Sequence, residues 1–237
     1  MPCCSRVVRP DRVIISLALL CAGRGPLLAQ ETISIPAGDG AAIVADMYGV
    51  GPRAVILAHG GRFDRGSWRE QALVLAQAGF RVVAIDFRAA VQSRAGTETE
   101  CLYDPACLAA DVLAAVRYLR QNGANTVAVV GGSLGGGAAA QASADAAPDE
   151  IDRIVLLAHL PIDHPERMKG RKLFVTSRDD LGSGDVPRLP GIRDQYERAL
   201  DPKELVVLDG AAHAQFIFGT PQGERLLAEI LRFLSAP

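Results

Sequence analysis

The run Val127-Ala128-Val129-Val130-Gly131-Gly132-Ser133-Leu134-Gly135-Gly136-Gly137-Ala138 sets a serine among glycines, where a β-branched stretch gives way to alanine-rich chain. It reads as a strand, a sharp turn and a helix, with Ser133 at the apex. The backbone of such a turn is strained, so the flanking positions must be nearly free of side chain to clear the strand and the helix. Gly131-Gly132-Ser133-Leu134-Gly135 fits G-x-S-x-G, the pattern that lifts a hydroxyl clear of the carboxyl end of a strand. The pentapeptide alone is weak, and its meaning depends on what surrounds it.

Short, wholly apolar runs recur on both sides: Ala54 to Ala58, Val82 to Ile85, Val127 to Val130, Ile154 to Ala158, Leu173 to Val175 and Leu205 to Leu208. Runs of this kind belong to strands buried on both faces. Between them, helical spacing of apolar residues predicts helices over Trp68 to Ala78, Pro105 to Gln121, Leu134 to Ala146, Ile192 to Ala199 and Pro221 to Leu234. Ahead of the first run, Thr32 to Pro36 and Ala41 to Tyr48 flank Ala37-Gly38-Asp39-Gly40, a hairpin pattern. The expectation is an α/β fold: one eight-stranded, mostly parallel sheet with an N-terminal antiparallel hairpin and helices on both faces. Only about a dozen residues separate Ala158 from Lys172, which leaves no room for a large cap and predicts an open site.

A serine hydroxyl becomes a nucleophile only beside a base, and the base needs a carboxylate to fix its tautomer. There are four His, at 59, 159, 164 and 213. His213 follows the last strand, where loops at the carboxyl ends of an open α/β sheet meet ligands, and is the candidate base. The candidate acid lies after the penultimate strand in Ser177-Arg178-Asp179-Asp180. Asp180, three residues after a small one, is preferred, with Asp179 as second choice. His59-Gly60-Gly61-Arg62 directly follows the strand Ala54 to Ala58. Its glycine-rich backbone is suited to aim the amide of Gly61 or Arg62, together with that of Leu134, at a developing oxyanion. Phe63 and Trp68 are read as anchors of the next helix rather than as parts of the site. Gly182 to Asp201, with Arg188, Arg193 and Tyr196, is read as a plain crossover with a charged outer face.

The order Ser133, Asp180, His213 on this background resembles a small α/β-hydrolase, similar to the esterase and dienelactone-hydrolase-like branches, over essentially the whole mature chain. The resemblance implies a catalytic triad of Ser133, Asp180 and His213, and oxyanion donors from the His59-Gly60-Gly61-Arg62 turn and Leu134. Dienelactone hydrolases proper use a cysteine nucleophile. Ser133 departs from that and points to cleavage of small carboxylic esters through an acyl-enzyme, with no cofactor. A peptidase or thioesterase on the same triad, or an exported binding protein that keeps the fold without turnover, are the alternatives.

The first 29 residues differ in character. Arg6, Arg9 and Arg12 precede an apolar run of about ten residues from Val13 to Ala22, and Leu27-Leu28-Ala29 closes the segment. This is the pattern of a secretory signal peptide, too short for a stable membrane anchor. The expected division is residues 1–29 as signal and 30–237 as the hydrolase domain, periplasmic or secreted. Removing the segment leaves 21 basic and 26 acidic residues, a net charge of −5 with no basic patch for nucleic acid. Of five Cys it leaves Cys101 and Cys107, read as a disulfide in an exported chain. No His or Cys cluster has metal-ligand spacing. Gly135 to Ala140 formally matches G-x-G-x-x-A, but it starts inside a helix, too late for a phosphate turn.

Overall fold

Alternation decides which way each strand faces. In the computed structural model, which describes Met1 and residues 30–38, 40–96, 101 and 103–237, β3 (Arg53–Ala58) sends Ala54, Ile56 and Ala58 into one apolar layer and Val55 and Leu57 into the other. The same split holds in β4 (Arg81–Ile85), β5 (Thr126–Gly132) and β6 (Arg153–Leu157), and Phe174 opposes Leu173 and Val175 in β7 (Arg171–Ser177). Both layers are apolar because helices cover both faces. With β1 (Glu31–Pro36), β2 (Ala42–Tyr48) and β8 (Lys203–Leu208), the sheet has eight strands in the order β1-β2-β4-β3-β5-β6-β7-β8. β2 runs antiparallel to β1 and β4, and every other pairing is parallel. Residues 2–29, read above as most of a signal peptide, and Asp39 of the hairpin turn lie outside the described residues.

The chain leaves β3 for β4 on one side and returns to β5 on the other. At such a switch point, loops leaving the carboxyl ends of neighbouring strands diverge and open a crevice. The loops after β3 and β5 therefore face one another across the middle of the sheet.

One face is covered by α1 (Arg69–Gln77) and α6 (Gly223–Ser235), the other by α2 (Arg88–Arg94), α3 (Pro105–Gln121), α4 (Leu134–Asp145) and α5 (Leu189–Arg198). α3 starts where Pro105 takes the first helical position and the Asp104 carboxylate accepts from Ala106 N at 2.9 Å. α4, two-thirds Gly and Ala, is buried nearly all round and packs closely on α3 and the sheet. α6 buries Leu226, Ile230, Phe233 and Leu234 at helical spacing.

Two features depart from the sequence pattern. α2, Arg-Ala-Ala-Val-Gln-Ser-Arg, lacks an apolar stripe and was not expected; Arg88 holds it, donating from its amide and Nε to the buried Asp111 carboxylate at 2.9 and 2.6 Å. β8 has the apolar composition of an inner strand, yet it closes the sheet as an edge and only Leu208 is fully buried.

Gly135 lies against the end of β3. A Cβ placed there would run into the carbonyl oxygens of Ala58 and His59, backbone atoms with no room to yield. Gly135→Ala should therefore destabilise the fold by about 3 kcal/mol, read as a lowered urea midpoint at unchanged m-value.

Candidate active site

At the end of β5 the backbone turns through Ser133, at φ +51° and ψ −113°. A non-glycine residue in such a conformation costs about 1–3 kcal/mol and persists only where its surroundings hold it. Here Ser133 N donates to Leu157 O at 2.8 Å, and Ser133 O accepts from Gly137 N and Leu160 N at 3.0 and 3.1 Å. Both peptide groups are thus tied to β6 and α4. Gly131 and Gly135 pack backbone to backbone beneath the turn.

The hydroxyl so presented donates to His213 Nε2 at 2.8 Å. His213 Nδ1 donates to Asp180 Oδ2 at 2.7 Å. These three side chains come from loops after β5, β8 and β7. Asp180 is buried, at 1% exposure, and its second oxygen, Oδ1, has no hydrogen bond but lies 3.6 Å from Arg188 Nε. Asp179 points to solvent, while its amide donates to Gly210 O at 3.0 Å, so of the two acids Asp180 is the one set against His213. The loop from β8 to His213 is further tied to β7, where Ser177 Oγ donates to Ala212 O at 2.6 Å.

Across the crevice, the turn after β3 is held from three directions. His59 Nδ1 donates to Gly60 O at 2.8 Å, and its Nε2 accepts from Phe87 N at 3.3 Å, an arrangement for a neutral ring. Burial lowers the His59 pKa, in keeping with that state. Gly60 N donates to Gln215 Oε1 at 2.7 Å, and Gln215 Nε2 donates to Ser67 Oγ at 2.9 Å. Gln215 thereby ties the turn after β3 to the His213 loop. Arg65, just beyond, sits between two buried carboxylates, 3.1 Å from Asp46 and 2.5 Å from Asp86. Gly61 and Arg62 line the same cleft as Ser133 and Leu134, and among the described residues the amides of Gly61, Arg62 and Leu134 have no acceptor.

The family profile of the alpha/beta hydrolase fold matches residues 53–176, more than half of the chain. The chain belongs to the α/β-hydrolase family. Among solved structures, similar folds include a dienelactone hydrolase from Anabaena variabilis, at TM-score 0.70 and 23% identity, covering 87% of this chain and 94% of that one. An esterase from Pyrococcus furiosus matches at TM-score 0.69 and 21% identity, covering 87% and 92%. An esterase from Exiguobacterium antarcticum matches at TM-score 0.67 and 14% identity, covering 87% and 100%. At these identities the likeness is one of fold. Comparison with curated proteins returns no sequence match.

The cleft of this α/β-hydrolase has a volume of about 560 Å³. Its lining includes residues that pattern reading passed over. Phe63 faces the cleft, whereas Trp68 is buried against Phe218 beneath it, so only one of the two serves as a helix-side anchor. Leu181, Ser183 and Arg188 bring the start of the crossover segment to the rim, while Tyr196 packs on Phe174 away from it. Tyr103 and Phe216 complete the walls. Two of the three aromatics stand within a few residues of a site element, Phe63 after the Gly60-Gly61 turn and Phe216 after His213, whereas Tyr103 precedes the cap of α3 and adjoins none in sequence. For the first two, that adjacency was the available signal. Cys101 and Cys107 bracket Tyr103 with their Cα atoms 5.3 Å apart, within disulfide range. Among the described residues, no group of three or more His, Cys, Asp or Glu side chains is arranged to hold a metal ion.

Behind the Ser133 turn, His159 is buried and stands outside the cleft, and burial holds its imidazole down at about 4 against the opposing pull of Gln195. An unfolded chain takes up this proton near pH 6.5, the folded chain only near pH 4, so this residue removes stability as pH falls through that window. Between pH 7 and 4.5 wild type should lose about 2 kcal/mol more than His159→Leu, measured as the difference between their urea-unfolding free energies at the two pH values.

Proposed function

We propose that this protein is a serine hydrolase of small carboxylic esters, with Ser133 as nucleophile, His213 as base and Asp180 as the carboxylate that orients it. The observation that carries this reading is the unbroken hydrogen-bond chain from Ser133 Oγ through His213 to Asp180 at the foot of an open cleft. A hydroxyl in that position loses its proton to Nε2 as Oγ attacks the ester carbonyl carbon. The charge arriving on His213 is balanced by Asp180, already buried and aligned. The charge arriving on the carbonyl oxygen is met by the amides of Leu134 and of Gly61 or Arg62; one such donor contributes about 3 kcal/mol to the transition state. His213 then hands its proton to the departing alkoxide, and an acyl-Ser133 ester remains. Water, deprotonated by the same imidazole, attacks that ester, the carboxylic acid leaves, and Ser133 regains its proton. No cofactor enters either half-reaction.

Ser133→Ala should lower ester turnover at least about 10⁴-fold and abolish labelling by a fluorophosphonate probe, with the thermal midpoint unchanged. Retained turnover in that variant would overturn the assignment. Asp180→Asn should cost about 10⁴-fold in kcat, whereas Asp179→Asn should stay within about twofold; equal effects would mean that the acid is misassigned. Matched oxygen ester, thioester and peptide substrates separate the esterase reading from a thioesterase or peptidase on the same residues.

Gln215 belongs to this proposal as a positioning residue. Its loss frees the turn that bears Gly61 while leaving the triad in place. Gln215→Leu should therefore lower kcat roughly tenfold with little change in KM, and Gln215→Glu, which keeps an acceptor for Gly60 N, should recover most of it.

We further propose that residues 1–29 direct export and that Cys101 and Cys107 are bonded in the mature chain. Secreted protein should begin at Gln30, and its two cysteines should resist alkylation until reduced.

A further inference from the structure

We infer that the substrate of this site is an ester carrying an aromatic ring, an inference that rests on the esterase reading above. Of the described aromatic side chains, two are largely exposed, Tyr103 at 70% and Phe216 at 49%. Both open onto the cleft that contains Ser133. Single exposed apolar residues are ordinary on a protein surface; exposed rings gathered at one concave site mark a surface that is covered when the protein works.

The rings are arranged around the turn that follows β3. The edge of Tyr103 lies 3.5 Å from where a side chain on Gly61 would begin, and Phe63 lies 3.4 Å from the corresponding point at Gly60. Two adjacent glycines thus let rings approach the backbone from two elements. Phe216 meets Phe63 with ring centroids 4.9 Å apart and planes tilted by 51°, an edge-biased contact that leaves π surface open. Three rings from three separate loops therefore border the space into which Ser133 Oγ points, and Leu160 and Leu181 line its remaining apolar wall.

A ligand of apolar character alone would be served by aliphatic walls, whose contact is proportional to area and indifferent to ring electronics. Aromatic pairs add an attraction beyond area through quadrupole alignment. A planar unsaturated ring on the substrate collects that addition from up to three partners, which a saturated ring of the same size cannot. The specificity-determining residues are then Tyr103, Phe63 and Phe216.

The test uses mature wild-type protein and matched ester pairs in which the ring is insulated from the reacting carbonyl. Methyl 3-phenylpropanoate against methyl 3-cyclohexylpropanoate places the ring on the acyl side. Benzyl acetate against cyclohexylmethyl acetate places it on the alcohol side. The expected result is a kcat/KM ratio of roughly 3- to 10-fold in favour of the aromatic member on one side, and the side that shows it locates the ring. In the double variant Tyr103→Leu, Phe216→Leu, which keeps apolar bulk but removes two π faces, that ratio should fall to within about twofold. Both residues are surface-exposed, so the variant keeps its core. A wild-type ratio near one on both sides overturns the inference, as does a ratio the double variant leaves unchanged. The saturated esters measure the underlying reading separately: if neither they nor the aromatic ones are turned over, the esterase reading fails, whereas turnover without ring preference defeats only the aromatic specificity.

Discussion

The contact on which the rest depends is backbone against backbone: Gly135, at the start of α4, lies directly on the carbonyl oxygens of Ala58 and His59 at the end of β3. No side chain fits between them. That proximity joins the turn bearing Ser133 to the turn bearing Gly61, so Leu134, Gly61 and Arg62 line one cleft. The parallel pairing of β3 with β5 sets the two strands side by side, but only the missing Cβ lets the loops above them close. The strained conformation of Ser133 is sustained by the same packing, with the peptide groups on either side tied to β6 and α4.

Most of the fold was legible because its strands are buried on both faces. A strand that must satisfy two apolar layers has little freedom in composition, and the runs in β3, β4, β5, β6 and β7 announced themselves. β8 shows the limit of this signal: Leu205-Val206-Val207-Leu208 has the same apolar content, but edge position is a property of the assembled sheet and leaves no mark on the strand. α2 shows the opposite limit. Its helicity is secured by a charge pair between Arg88 and Asp111, 23 residues apart, and no local pattern encodes such a partner.

The candidate site was legible to the extent that chemistry demands particular residue types in a particular chain order. Serine between glycines, a histidine after the last strand and an acid after the strand before it can be found by position. The choice of Asp180 over Asp179 rests on one residue of spacing in the sequence; in the fold it is Asp180 whose Oδ2 lies 2.7 Å from His213 Nδ1. Gln215 and the three rings at the cleft were not found this way. A glutamine two residues from the base looks like any loop residue until Gly60 is seen to need an acceptor. Phe63 and Trp68, five residues apart, look alike in sequence and part company only when one is buried in an apolar layer against the sheet and the other lines the cleft.

His213 follows β8, an edge strand and the last in sequence, while Ser133 sits near the middle of the sheet. A ribosome has therefore released everything that holds the Ser133 turn some fifty residues before His213 exists. Until the final strand zips onto β7, Ser133 Oγ has no imidazole to donate to. Chains truncated ahead of β8 keep the Ser133 turn and the facing turn in their sequence but lack His213, so under the proposed mechanism the hydroxyl has no base until β8 has docked.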